Sequence, residues 1–214
     1  IGSESYRQFG RSGTGALYGS QNLKGVESKG SGSVSVADMP KFIERITHHK
    51  QENLFTEDNL WANTDGTAVL VDATSELGIH PTRNYDAGIN ERKDTLNSDA
   101  IKAAKVADRA CAGCPLACGK FTKIGDAEVE GPEYETLCLG GSNCEVNDLE
   151  SIIKFNRICD DLGLDTMSCG STISMAMEMT ESGRKDFGVK FGDAQEYLKV
   201  VEEIAALSTE RGRD

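Results

Sequence analysis

Asn147-Asp-Leu149-Glu150-Ser-Ile152-Ile153-Lys-Phe-Asn-Arg-Ile158-Cys-Asp160-Asp-Leu162-Gly163 is the stretch on which the fold class turns. Its apolar residues Leu149, Ile152, Ile153, Ile158 and Leu162 mark one side of a helix, Asn147 followed by Glu150 is a capping-box-like start, and Gly163 is a stop. Downstream, Ser171 to Glu181 repeats the pattern with Ile173, Ala176, Met177 and Met179 as its apolar side, ended by Gly183. Those methionines read as core packing. Asp193 and Glu196 cap a further helix carrying Leu198, Val201, Ile204 and Leu207, with Gly212 closing it.

Upstream, a helix is expected from Asp38, with Pro40 in its first turn and Phe42, Ile43 and Ile46 on one face. Thr67 to Leu77 reads as a helix ended by Gly78, and Ser98 to Ala110 as one running into Cys111. Residues 1–37 are rich in Gly and Ser, with β-leaning pieces at Leu23 to Val26 and Ser33 to Val36, and read as loop and strand. The fold class is therefore mainly α with a short β/loop segment at the N-terminal end. The division falls at 1–37 and 38–214, and no internal repeat interrupts it.

Between two of these helices lies Arg109-Ala-Cys111-Ala-Gly-Cys114-Pro-Leu-Ala-Cys118-Gly-Lys120. C-x2-C-x3-C holds three thiols in one loop, a common way to supply most of a [4Fe-4S] cluster, whose fourth thiolate then arrives from elsewhere. The order of spacings is neither the radical-SAM one nor the two-cluster ferredoxin run. A zinc site completed by another Cys or a His remains open on spacing alone.

The chain has 214 residues and a formal charge of -12, from 35 acidic and 23 basic residues. Nucleic acid is excluded as an expected partner, because phosphate binding runs on lysine and arginine displacing counterions. No apolar run approaches the ~20 residues needed to cross a bilayer. Seven cysteines form an odd set and no signal peptide opens the chain, so a reducing, cytoplasmic setting is expected. The first residue is Ile1 and the last ones directly follow a helix, so the chain is expected to be a fragment.

Three further motifs carry both a chemical and an ordinary reading. Gly10-Arg11-Ser-Gly13-Thr-Gly15-Ala-Leu-Tyr-Gly19 through Lys24 suits backbone approaching an anion, or is a flexible loop; it is neither a Walker loop nor a dinucleotide fingerprint. Glu130-Gly-Pro-Glu133-Tyr-Glu135-Thr136 crowds three carboxylates around a turn, for acid/base work or for surface solvation. Asp160-Asp-Leu-Gly163-Leu164-Asp165-Thr166-Met-Ser168 can aim carboxylates at a nitrogen-rich ring, or is a helix end with polar loop residues. His48, His49 and His80 stand in no ligand spacing and read as surface or packing residues.

Taken in order, these segments together with Pro81-Thr-Arg-Asn84 resemble the tungsten-pterin aldehyde:ferredoxin oxidoreductase family over nearly the whole chain. The resemblance implies an N-terminal β-rich domain, of which 1–37 is the tail, followed by helical domains holding a tungsten (or molybdenum) bis-pterin and a [4Fe-4S] cluster. It implies that Cys111, Cys114 and Cys118 are cluster ligands, and that Asp160, Gly163, Leu164, Asp165 and Thr166 form the first pterin-binding turn. Arg11, Gly13, Gly15, Gly19 and Lys24 match the segment approaching the pterin phosphates, and Glu135 matches the glutamate beside the metal. Cys138 and Cys144 sit in no fourth-ligand motif, and no Glu-x-x-His pair surrounds Lys154 to bridge subunits.

The implied reaction is oxidation of an aldehyde to a carboxylic acid, with ferredoxin or a similar acceptor taking the electrons. The expected partners are that acceptor, a small aldehyde, and either further domains, another subunit or a second copy of the chain. The competing expectations are a non-catalytic helical unit that binds at most a cluster, and a family member that reduces an aromatic acyl thioester.

Overall fold

The computed structural model describes residues 2–3, 7–8 and 11–213. Gly10, which opens the glycine-rich segment, and Asp214 lie outside the described residues. The chain is mainly helical, as its periodicity requires. β1 (Gly2–Ser3) pairs antiparallel with β2 (Arg7–Gln8), and α1 (Thr14–Ser20) follows. Leu23 to Val26 and Ser33 to Val36 form no strand, and all but the half-buried Val36 are exposed. Their β propensity finds no partner backbone, and propensity without a ladder does not hold a strand.

α2 (Met39–His49) starts where Asp38 accepts the Lys41 N–H at 3.0 Å, with Pro40 in the first turn. Phe42, Ile43 and Ile46 do share a face, and that face is exposed. α3 (Trp61–Thr64) leads through a 3-10 turn at Gly66–Val69 into α4 (Leu70–Glu76), which ends at Gly78 with φ 70°.

α5 (Ser98–Ala104), capped by Asn97, is shorter than its pattern predicts. Lys105 turns extended and begins β3 (Lys105–Arg109), which pairs antiparallel with β4 (Gly119–Ile124), Arg109 lying opposite Gly119. The interstrand ladder, formed with residues beyond the cysteine loop, outcompetes another helical turn; a local pattern cannot register it. β5 (Ala127–Glu130) completes a three-stranded meander through a tight turn at Gly125, φ 56°.

α6 (Tyr134–Thr136) runs into a wide helical turn at Leu137–Gly141. Then come α7 (Leu149–Leu162), α8 (Thr166–Glu181), α9 (Ala194–Ala206) and α10 (Glu210–Arg213). α7 is capped by Asp148, which accepts from the Ser151 N–H at 3.1 Å, not by Asn147. α8 opens at Thr166, ahead of the expected Ser171, because Asp165 caps it. α9 is capped by Asp193 as its sequence reads, but ends at Leu207 with φ 49°, and Gly212 is buried within α10 instead.

Leu137, Ile152, Phe155, Ile173, Met177, Tyr197 and Val201 are all fully buried where α7, α8 and α9 meet the Leu137–Gly141 turn. Each such side chain contributes about 1.5–3 kcal/mol of transfer free energy. The Phe155 and Tyr197 rings stack with centroids 4.9 Å apart, and the Tyr197 hydroxyl donates to the Gly140 carbonyl at 2.8 Å. Of the two methionines expected in the core, Met177 is fully buried and Met179 half-buried. His80 is buried with both ring nitrogens bonded, to Thr74 at 2.9 Å and Ser142 at 2.8 Å; His48 and His49 end α2 in solvent.

Candidate active site

Two helices joined by one tight turn make the centre of the site. α7 ends in a Schellman arrangement: Leu164 N–H donates to the Cys159 carbonyl at 2.8 Å, and Gly163 sits at φ 71°, where only glycine is unstrained. Two residues on, Asp165 caps α8 by accepting the Ser168 N–H at 2.8 Å. The run Asp160 to Thr166 is therefore fixed at both ends by backbone hydrogen bonds. Thr166 is tied sideways to Thr136 by a hydroxyl–hydroxyl bond of 2.9 Å, which joins the turn to α6, the helix bearing Glu135.

These elements enclose a cleft of about 390 Å³. Its walls carry Arg11, Glu130, Glu133, Glu135, Asp160, Leu164, Asp165 and Thr166, all named from sequence, together with Gln8 and Asn156. The Arg11 guanidinium stands 3.8 Å from the Asp165 carboxylate, an open pair with the arginine mostly in solvent. Gly163 shapes the turn without lining the cleft, and Gly13, Gly15, Gly19 and Lys24 are also off its walls. Gly13 precedes α1 at φ 72°, while Gly15 and Gly19 lie inside that exposed helix.

Five carboxylates against one guanidinium suit N–H donors of a heterocycle better than a bare anion. Glu135 is exposed on the cleft wall. Glu130 is buried, with the Arg109 Nε 3.9 Å from its carboxylate. Asn156, missed from sequence, is a buried polar residue among Ile152, Phe155 and Cys159 on α7 and donates to the Glu130 carbonyl at 3.2 Å. The signal that could have found it was a polar side chain on an apolar helical face.

The Arg109–Glu130 contact also connects the cleft to the cysteine loop, since Arg109 stands two residues before Cys111 at the end of β3. β3 and β4 pin the ends of that loop, and Cys114 N–H donates to the Cys111 carbonyl at 3.0 Å within it. Its C-terminal half is held by Ala117 N–H on Asn63 Oδ1 at 2.8 Å, and by the buried Lys120 ammonium on the Ala117 carbonyl at 2.7 Å. Gly66, at φ 66°, lets the Cys118 carbonyl come so close that a Cβ would lie 2.4 Å from its oxygen.

Cys111 and Cys114 are exposed, Cys118 is half-buried, and none is in a disulfide. Three free thiols on a loop with pinned backbone ends are the donor type of a four-thiolate cluster, with one ligand still to be supplied from elsewhere. Among the described residues no three His, Cys, Asp or Glu side chains gather as a closed metal site. Cys138 and Cys144 lie in the core; burial pushes the Cys138 thiol up to about 12 and raises that of Cys144 as well, so neither offers a ready thiolate. Among the described residues no helix is long and apolar enough to cross a membrane.

The family model described as aldehyde ferredoxin oxidoreductase, domains 2 and 3, matches residues 41–212. The tungsten-containing aldehyde ferredoxin oxidoreductase of Pyrococcus furiosus is 38% identical over 199 residues, covering 91% of this chain and 32% of that protein. The Thermococcus kodakarensis protein of the same name is 38% identical, covering 86% of this chain and 31% of that protein. The aliphatic sulfonate oxidoreductase, WOR-like subunit, of Pyrococcus furiosus is 29% identical, covering 90% and 32%. The chain thus spans about a third of the length of the relatives it matches.

Proposed function

The chain belongs to the aldehyde ferredoxin oxidoreductase family, and from that premise we propose that it is the central part of an enzyme oxidising an aldehyde to its carboxylic acid. The net change is RCHO + H2O → RCOOH + 2H⁺ + 2e⁻, with ferredoxin as acceptor. When bound, a tungsten-pterin group supplies the two-electron oxidation and a [4Fe-4S] cluster the one-electron relay.

In this reading Cys111, Cys114 and Cys118 provide three thiolates. Asp160 and Asp165 accept N–H groups of the pterin from a turn that Gly163 and the α8 cap hold rigid, and Leu164 and Thr166 complete the contact. Arg11 offers a positive charge to a pterin phosphate, helped by the exposed Lys24 and the glycine segment before it. The carboxylate of Glu135 takes the proton that the water oxygen releases as it adds to the carbonyl carbon. Residues 1–37 act as the tail of a β-rich domain and 38–214 as the helical region. The odd cysteine set fits a reducing, cytoplasmic setting.

The observation that supports this best is the single cleft shared by Arg11, Glu135 and the Asp160–Thr166 turn, with Arg109–Glu130 linking it to the thiol loop. Nothing in those walls selects a substrate, and the same stretch resembles a relative named for sulfonates. The test uses the complete enzyme. Cys114→Ser is expected to lose cluster iron while far-UV circular dichroism stays unchanged, and Glu135→Gln to lower kcat at least 100-fold, the usual order for a general base, with tungsten content retained. Unaltered iron in the first variant, or unaltered turnover in the second, would refute the corresponding role.

A further inference from the structure

Lys120 is buried, at 4% exposure, and no step above uses its charge. Its ammonium donates to the Asn63 carbonyl at 2.7 Å and to the Ala117 carbonyl at 2.7 Å, and stands 3.1 Å from the Asp108 carboxylate. Three donors thus meet three acceptors, which is the full capacity of an ammonium group. One acceptor is the carbonyl of the residue directly before Cys118, so the positive charge is bonded to the backbone of the thiol loop. Asp108 is shared with Lys105, whose ammonium lies 2.9 Å away, leaving two ammonium groups against one carboxylate. Hydrogen bonds from Lys105 and then Lys120 hold the Asp108 carboxyl below the usual carboxylate range, against the opposing effect of burial.

We propose that Lys120 is a positioning residue that locks the thiol loop and sets the reduction potential of the cluster it carries. The inference rests on the cluster reading of Cys111, Cys114 and Cys118 given above. Reduction adds one electron, hence one negative charge, to the cluster. A buried cation nearby, screened little by water, favours that reduced form and raises the potential. These three contacts hold the charge in place: the one to the Ala117 carbonyl ties it to the thiol loop, and all three keep the ammonium from turning out to solvent.

The experiment is an EPR-monitored redox titration of the complete, anaerobically purified holoenzyme with mediator dyes, alongside iron analysis. Lys120→Met is expected to shift the cluster midpoint to more negative potential, and Lys120→Arg to leave it near wild type. Asp108→Asn removes the compensating carboxylate but leaves both carbonyl contacts of Lys120, so its midpoint should move to more positive potential. A loaded Lys120→Met cluster with an unmoved midpoint overturns the proposal. If that variant assembles no cluster, Asp108→Asn decides: a positive shift supports the role, and an unmoved midpoint overturns it. Wild-type enzyme without iron would overturn the cluster reading as well, whereas iron with immobile midpoints removes only the role of Lys120.

Discussion

Gly170 sits inside α8, where replacement of glycine by alanine ordinarily stabilises a helix by about 1 kcal/mol. Here the sign reverses. A Cβ at Gly170 would lie 2.4 Å from the Leu139 carbonyl oxygen, 2.7 Å from its carbon and 2.8 Å from the Gly140 nitrogen. All three are backbone atoms of the Leu137–Gly141 turn, so no side-chain rotation relieves the contact. Overpacking of this kind costs about 1–3 kcal/mol and sometimes more. Three backbone atoms inside 3.0 Å put this site at the top of that range, so after the helix gain Gly170→Ala should destabilise by roughly 2 kcal/mol, a fall in Tm of about 4–8 °C for a chain of this size. Thr172→Ala is the control, since Thr172 is exposed on the same helix and gains propensity without a collision. Thermal unfolding followed by circular dichroism reads both. A Gly170→Ala melt at or above the wild-type temperature would show that α8 can move away freely, and would refute the close contact.

Tyr197→Phe keeps the stack on Phe155 but strands the buried Gly140 carbonyl, and should cost about 1–3 kcal/mol by urea unfolding. Burial holds the His80 pKa below its ordinary value, so the unfolded chain takes up a proton before the folded one does. Stability should accordingly be full above about pH 6.5 and fall as pH drops below it. A His80→Gln variant, though less stable throughout, should lack that window in the same unfolding series. Asp165→Asn retains a capping oxygen for Ser168 and removes the charge facing Arg11. Its melt should stay within about 0.5 kcal/mol of wild type, while tungsten content of the complete enzyme falls.

The parts legible in the sequence are those whose causes are local. The Asp193 cap, the Gly163 stop and the Gly78 stop each depend on a few neighbouring residues, and the structure has all three. The Ser98 helix was read too long because its end is decided by β4, on the far side of the cysteine loop. The same holds for the site. The Asp160–Thr166 turn and the Glu130–Glu135 carboxylates are visible as motifs, but Gln8 and Asn156 join the cleft only through packing. The Asn63–Lys120 clamp spans a separation of 57 residues, which no spacing rule reaches. Asn147 lost its cap role to the adjacent Asp148 because a capping pattern cannot separate neighbours that both qualify; in the structure the Asn147 amide donates instead to the Glu145 carbonyl at 3.0 Å.

The relation between Glu135 and the aspartate turn follows from how little slack lies between them. Glu135 lies in the first turn of the helical segment formed by α6 and the Leu137–Gly141 turn, so its orientation follows from what that segment touches. One contact is the Thr136–Thr166 hydroxyl bond; another is the main chain just after it, pressed against Gly170. Asp165 caps the helix that contains both Thr166 and Gly170. A side chain at Gly170 would therefore separate the carboxylate proposed to take the proton from the turn proposed to hold the pterin, without touching either. Loss of turnover in the complete Gly170→Ala enzyme, at a temperature where it remains folded and keeps its tungsten, is the expected result. Wild-type turnover in that variant would mean that Glu135 is aimed by something other than this packing.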